Sequence, residues 1–360
     1  MINELVIHLG DTKTGSTSIQ KALVAKAYDI PGKTLLYPTM NNHVGLAKTL
    51  TLQRRFEERE KRFTRVYKAV KASDADFAVV SAEHFQFVDP RVLNEAIESY
   101  WPGLRDRIRL VAYVRPHGSK ILSTFAERVK LGSDIETLED FIDMASEKRL
   151  FDYAERFAAW REVFGARFTL RPFIRDRLYK RDAVQDFFRY VVGNEGFEIT
   201  EEIAANSSLT ISQLALLREM HRYLAERTQN QEGLPQFREA RGSVGRVMAE
   251  YMRDNALGQD GEKVRLPASR VDFIKERYAA DAEALDTAFF DGFPMSDELE
   301  KIGKSTTEAV QSLEASDYFS PDVLNCIGIF SNVLADLTAQ SPGQIKTAIT
   351  RSRAGTDADA

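Results

Sequence analysis

The chain has 360 residues, of which 43% are hydrophobic and 29% are charged, and its formal net charge is -5. This length and composition allow a substantial core, so we expect one large folded domain, with or without an appendage, rather than a disordered chain. Acidic and basic residues are mixed along the sequence, which excludes a strong overall attraction to nucleic acid or to an anionic membrane. Any anion-binding site must therefore be local.

The cysteine content and the N-terminus bear on the cellular compartment. Cys326 is the only cysteine, so the chain forms no intramolecular disulfide, which fits a reducing compartment. The opening, MINELVIHLG, lacks the basic and long apolar regions of a signal peptide. No stretch reaches the roughly 18 uninterrupted apolar residues of a membrane-spanning helix. We expect a cytoplasmic protein without a transmembrane segment.

The chain opens with the pattern of an α/β unit. Residues 5–9 are apolar and predict a strand, residues 10–15 form a glycine-bearing turn, and helical spacing begins at Ser16. Strands that alternate with helices predict a mostly parallel sheet with helices on both faces. Further strands are predicted at residues 34–37, 77–81, 109–114 and 168–170.

Helical periodicity fills most of the rest of the chain. Apolar residues recur every three or four positions in residues 59–72 and 153–164, where they predict packed helix faces, and the charges of 59–72 predict a solvated face. We predict an α/β core over residues 1–205, a mostly helical continuation over 206–300, and a helical appendage with a disordered tail over 301–360. Later helices are predicted at residues 209–226, 240–254, 270–290 and 321–337.

The segment GDTKTGSTS lies between the first strand and the first helix. In this position, backbone amides and a helix N-terminus form an anion site, so the segment predicts phosphate binding. Compared with the nucleotide triphosphatase pattern GxxxxGK[ST], both glycines fit, but Ser16 replaces the lysine and a lysine stands earlier, at Lys13. The predicted ligand-binding residues are Lys13, Thr14, Gly15, Ser16 and Thr17.

With its flanks, HLGDTKTGSTSIQ, this loop resembles the phosphosulfate loop HIGxxKTGTTSIQ of the sulfotransferase family, in its bacterial and carbohydrate-type branch. The resemblance implies a phosphate-loop-type α/β fold and the donor 3′-phosphoadenosine-5′-phosphosulfate (PAPS), with adenosine 3′,5′-bisphosphate as product. Lys13 is then expected to neutralise the charge that grows on the bridging oxygen as the sulfur–oxygen bond breaks. A metal ion is not expected to be needed.

A second motif follows a later strand, in YVRPHGSKILSTFAERVKLG. Arg115 ends the strand, and Ser123 stands eight residues later on the next predicted helix, so the two can bind a phosphate through guanidinium and hydroxyl groups. The stretch resembles the 3′-phosphate motif of the same family, in which Arg115 and Ser123 take the arginine and serine positions. An aromatic residue two places after the serine is usually tyrosine in the family but is Phe125 here. The resemblance covers about the first 210 residues.

Transfer of a sulfuryl group needs a base nearby that takes the proton of the acceptor. The strand at residues 77–81 delivers Glu83 and His84 to the carboxyl edge of the sheet, and both are candidates, with Glu83 preferred. His43 is a reserve candidate, whereas His8 lies within the first strand and is expected to be a buried structural residue.

The sequence thus predicts a PAPS-dependent sulfotransferase that acts on a hydroxyl or amine acceptor, which the resemblance suggests is a saccharide or glycolipid. Two alternatives stay open. One is a small-molecule or nucleotide kinase with an altered phosphate loop, against which the missing lysine after Gly15 counts. The other is a non-catalytic nucleotide-binding protein.

Overall fold

The computed structural model describes residues 2–133, 137–201, 208–227, 235–255, 257, 261–345 and 347–348. The chain is mixed α/β and 64% helical. It divides into two compact units, each built from separate stretches of sequence. The first comprises Met1–Lys120, Phe151–Asn206 and Lys275–Lys301, and the second comprises Ile121–Leu150, Ser207–Ile274 and Ile302–Ala360.

The first unit contains a five-stranded sheet in the order β2-β3-β1-β4-β5, and all neighbouring strands are parallel. The central strands are almost wholly buried, as expected when helices cover both faces of a parallel sheet. All five strands coincide with the predicted apolar runs, and the predicted parallel α/β sheet is confirmed. The strands are β1 (Glu4–His8), β2 (Leu35–Leu36), β3 (Phe77–Ser81), β4 (Ile108–Val114) and β5 (Phe168–Pro172).

The helices confirm most of the predicted amphipathic stretches. In chain order they are α1 (Ser16–Ala25), α2 (Val44–Ala47), α3 (Arg59–Lys71), α4 (Pro90–Tyr100), α5 (His117–Lys130), α6 (Leu138–Glu147), α7 (Ala154–Phe164), α8 (Ala183–Val192), α9 (Ile211–Arg227), α10 (Pro235–Asp254), α11 (Val271–Phe289), α12 (Pro294–Glu300) and α13 (Pro321–Gln340). Short 3-10 helices occur at Lys48–Leu50, Gln53–Glu58, Glu83–Phe87, Arg105–Arg107, Gly165–Arg167, Arg175–Arg177, Tyr179–Arg181, Ala268–Arg270, Lys301–Lys304 and Ala315–Asp317.

A hydrophobic core forms on one face of the sheet, where α1 and α8 pack against the central strands. Ile19 and Leu23 of α1 meet Phe187 and Phe188 of α8 over Val79 of β3, and all five are buried. Burial of an aromatic or aliphatic side chain of this size contributes about 1.5 to 3 kcal/mol. This packing fixes the start of α1, and with it the loop that precedes the helix.

The order of the strands brings three loops together at the carboxyl edge of the sheet. Strand β1 lies between β3 and β4, so the segments that follow these three strands are neighbours. The chain leaves β1 towards β2 and β3 on one side and later crosses to β4 on the other. Open α/β sheets bind ligands at such a switch point, outside the carboxyl ends of the strands.

The second unit is mainly helical. Helix α9 packs against both α13 and α10, and a short two-stranded parallel ladder joins β6 (Leu266–Pro267) and β7 (Thr306–Thr307). Among the described residues, one helix, α13, is long and apolar enough to cross a membrane by length and composition, which is weak support for a span. The predicted disordered tail, residues 351–360, lies outside the described residues.

Candidate anion-binding and active site

The loop between β1 and α1 has an unusual backbone. Gly10, Lys13 and Gly15 adopt φ angles of 61°, 69° and 79°, in the left-handed region that favours glycine. A Cβ atom on Gly10 would lie 2.7 Å from the Cα of Glu83, so the first loop residue and the segment after β3 touch through their backbones. Only glycine permits this approach without a backbone shift.

Helix α1 begins directly after Gly15, its N-cap residue, which has no side chain to cap the first turn. The first amides of a helix have no intrahelical partner and carry a partial positive charge. An uncapped N-terminus that follows a left-handed loop is a common anion-binding arrangement. The binding of an anion by Gly15, Ser16 and Thr17 stays a prediction.

The hydroxyl groups of the loop have different roles. Thr14 is buried and donates a hydrogen bond of 2.7 Å to the carbonyl of Asp11, which closes the turn. Ser16 Oγ also lies near that carbonyl, at 3.4 Å, whereas Thr17 is exposed. Thr14 therefore stabilises the loop with its hydroxyl, which leaves its backbone amide as its means of contact with a ligand.

Asp11 holds the loop in place, a role that the sequence did not reveal. The residue is 1% exposed, and its carboxylate accepts hydrogen bonds from Lys120 Nζ at 3.0 Å and from Arg156 Nη2 at 2.9 Å. Lys120 Nζ also donates to the carbonyl of Thr12 at 2.6 Å. Burial raises the pKa of Asp11, but Arg156 and Lys120 outweigh it and hold that pKa below its usual value. Two cations on one carboxylate leave this cluster net positive beneath the loop.

Arg115 extends from the end of β4 to the same loop. Its Nη1 donates to the carbonyl of Lys13 at 3.0 Å, and its Nε donates to Ser119 Oγ at 3.2 Å. The guanidinium lies 5.8 Å from the ring centre of Phe173, which is also close to Gly15. Arg115 thus lies at the carboxyl edge of the sheet and contacts the loop between β1 and α1.

Ser123 lies further along α5, in the portion of that helix that belongs to the second unit. The guanidinium of Arg115 contacts Ser119, four residues after it. The pairing of Arg115 with Ser123 on one phosphate stays a prediction.

The two predicted bases face different surroundings. Both lie in the 3-10 helix Glu83–Phe87 that follows β3. Glu83 adjoins Gly10, and its charge, after burial, helps to raise the pKa of Tyr37. His84 Nε2 lies 2.7 Å from Thr51 Oγ1, and burial and then Lys48 lower its pKa. Glu83 is therefore the candidate next to the anion loop.

The other two histidines considered from the sequence, His8 and His43, are buried. His8 is 0% exposed, pairs through Nδ1 with Ser81 Oγ at 2.9 Å, and has its pKa lowered by burial to about 3. This agrees with the predicted structural role. His43 Nδ1 accepts a hydrogen bond from the amide of Ser81, and burial lowers its pKa to about 4. A neutral imidazole that accepts at Nδ1 carries its proton at Nε2, so His43 has no acceptor site left for a substrate proton.

His117 fixes the turn after β4 and was also missed from the sequence. Its Nε2 lies 2.9 Å from Asp281 Oδ2, and its ring stacks on Tyr278 at 4.7 Å. The other oxygen of Asp281 accepts from the amide of Ala154. These contacts tie the start of α5 to α7 and α11 and so position Arg115, two residues before His117.

Within the described residues, no group of three or more histidine, cysteine, aspartate or glutamate residues is arranged to hold a metal ion. The residues at the carboxyl edge instead fit an anionic group. Five features of this edge favour a negatively charged ligand. They are the amides of the left-handed loop, the uncapped N-terminus of α1, Lys13, Arg115 and the net positive cluster at Asp11.

Compared with protein-family models, with curated proteins and with solved structures, the chain matches none of them. Any family assignment therefore depends on the motif resemblance and on the geometry of the site.

Proposed function

We propose that the protein is a PAPS-dependent sulfotransferase. The observation that carries the proposal is the loop Gly10–Gly15, which has a left-handed lysine and an uncapped helix N-terminus and contacts both Arg115 and the backbone of Glu83. An anion site, a second cation and a carboxylate thus lie at one edge of the sheet. Transfer of a sulfuryl group needs these three elements.

Bound PAPS would supply the activated sulfuryl group. The amides of residues 13–17 would bind its 5′-phosphosulfate, and Arg115 would bind the 3′-phosphate. Lys13 would stabilise the negative charge that the leaving bisphosphate acquires. Glu83 would accept the proton of the acceptor hydroxyl or amine, with His84 as the alternative base.

An acceptor with an apolar face suits this edge. Phe87 is 66% exposed and lies 5.3 Å from the ring of His84, in the same 3-10 helix as Glu83. An exposed aromatic ring next to a base offers a surface on which a sugar ring can stack. This supports a saccharide or glycolipid acceptor, which the motif resemblance also suggests.

The kinase alternative is less well supported. Ser16 stands where a nucleotide triphosphatase has its lysine, and Asp11, the carboxylate within the loop, is engaged by Lys120 and Arg156. Asp11 is therefore poorly suited to bind magnesium. A non-catalytic nucleotide-binding protein would share the anion site and lack turnover.

Transfer of labelled sulfate from PAPS to a panel of saccharide and glycolipid acceptors tests the proposal. We expect transfer by the wild-type protein and a loss of about 100-fold or more in Lys13→Ala. The matched control is Lys21→Ala, because Lys21 is an exposed lysine of α1, and it should retain activity. Full activity of Lys13→Ala would refute the role of Lys13, whereas bisphosphate binding without transfer to any acceptor would favour the non-catalytic alternative.

A further inference from the structure

Helix α13 buries small residues and exposes several large apolar ones, whereas most amphipathic helices bury their large apolar side chains. Its buried face consists of the small residues Gly328, Ser331, Ala335 and Thr338. On this face, α13 packs against α9, and Tyr223 would lie 3.0 Å from a Cβ atom on Gly328. Small residues let the two helices approach closely. Leu324, Ile327 and Leu334 are half-buried beside this face, and several larger apolar side chains of α13 are exposed.

The outward side chains form a regular stripe, which we call the α13 seam: Val323, Cys326, Phe330, Val333 and Leu337. They are spaced by three, four, three and four residues, and all are exposed. This is the spacing of the a and d positions of a heptad, which places side chains along one line of a helix. A helix with the same spacing can interdigitate with such a line.

The exposed apolar area is large enough for an interface. Phe330 is 72% exposed and Val333 56%, and Ile329 beside the seam is 64% exposed. If each large side chain carries on the order of 150 to 200 Å², Ile329 and the four large seam residues expose roughly 500 Å² on one copy. That is near the upper limit for the largest patch of a typical monomer, about 300 to 600 Å². Two copies together would bury at most about 1,000 Å², the lower limit for a specific interface.

Charge argues against a lipid surface and indicates the orientation of a partner helix. The helix contains two acidic residues, Asp322 and Asp336, and no lysine or arginine, whereas helices that lie on membranes carry basic residues on their polar face. Both aspartates precede a seam position directly. In an antiparallel pair of helices, the positions that directly precede a seam residue face each other across the interface, so the carboxylates would repel. In a parallel pair, Asp322 instead faces Ile327 of the second copy.

We propose that the α13 seam is the interface of a homodimer, in which α13 of a second copy packs in parallel and in register. The two Cys326 side chains then lie next to each other across the interface, because the same heptad position meets itself in such a pair. Phe330 is its central aromatic anchor.

Sedimentation velocity of the full chain over a concentration series tests the dimer. We expect a species of twice the 40.7 kDa chain mass. Phe330→Glu should raise the dimer dissociation constant at least about 30-fold, as for the loss of a hot-spot residue. Tyr251→Glu is the matched control, because Tyr251 is 62% exposed on α10 of the same unit, and it should remain dimeric. A wild-type protein that is monomeric at every concentration would overturn the proposal.

Cross-linking tests the orientation and does not depend on the folding of a variant. A short bismaleimide should join two wild-type chains through Cys326, the only cysteine, and Cys326→Ser should give no product. A dimer that does not cross-link would overturn the parallel register. Flotation of a monomeric protein with phosphatidylcholine and phosphatidylglycerol vesicles would show instead that the seam binds lipid, which would also overturn the proposal.

Discussion

Replacing Asp11 with asparagine should destabilise the first unit strongly. The side chain of Asp11 is 2% exposed and its carboxylate is hydrogen-bonded to Lys120 and Arg156, and the side chain of Lys120 is itself only 4% exposed. Loss of one partner leaves a buried charge without compensation, which costs about 3 to 5 kcal/mol. For a unit of about 200 residues, this corresponds to a fall in Tm on the order of 10 °C.

Urea unfolding, followed by far-UV circular dichroism, measures this loss as a shift of the midpoint. The matched control is Asp176→Asn, because Asp176 is 77% exposed in its ion pair with Arg181; its effect should stay below about 1 kcal/mol. The double variant Asp11→Asn, Lys120→Met should recover part of the loss, since it also removes the buried ammonium. A cost below about 1 kcal/mol for Asp11→Asn would refute the clamping role of this carboxylate.

The pH dependence of this stability has a definite sign. The pKa of Asp11 is lower in the folded protein than in the unfolded chain. Its contribution is therefore fully present above the usual carboxyl pKa and is lost as pH falls through the lower folded value. The stability difference between wild type and Asp11→Asn should be constant near neutrality and shrink in acid. A difference that grows on acidification would contradict the assignment.

Three further predictions concern the site. Arg115→Ala should weaken binding of adenosine 3′,5′-bisphosphate by about 10-fold or more, as expected for a lost charged hydrogen bond. Binding of adenosine 5′-monophosphate should fall far less, and equal losses for the two nucleotides in calorimetry would exclude a 3′-phosphate role for Arg115. Glu83→Gln should abolish transfer and retain bisphosphate binding, whereas His84→Gln should retain transfer; the reverse result would make His84 the base. Gly10→Ala should weaken bisphosphate binding and lower Tm, because the new Cβ meets the backbone of Glu83 at 2.7 Å; an unchanged Tm would contradict that contact.

Much of the first unit could be predicted from local sequence pattern. The five apolar runs became the five strands because buried parallel strands need continuous hydrophobic segments. The loop GDTKTGSTS was identifiable because its glycines stand where the backbone turns left-handed. Arg115 and Glu83 could be placed because they stand one and two residues after the ends of β4 and β3, and the carboxyl ends of parallel strands share one edge of the sheet.

Residues that act through distant contacts could not be predicted. Lys120 and Arg156 meet Asp11 across 109 and 145 residues of sequence, and Asp281 meets His117 across 164. No periodicity reports contacts at such separations. The proton position of His43 depends on one backbone amide, that of Ser81, which only the packed structure brings to its ring. The hydrogen bond from the Thr14 hydroxyl to the carbonyl of Asp11 could not be predicted either, since it depends on the folded shape of the loop.

In the proposed function, the carboxyl edge of the sheet binds a sulfuryl donor rather than a nucleoside triphosphate. Calorimetric titration of the purified protein with adenosine 3′,5′-bisphosphate, with ATP and magnesium as the comparison, tests it most directly. The proposed function predicts selective binding of the bisphosphate without metal. A preference for ATP with magnesium would contradict it and favour the kinase.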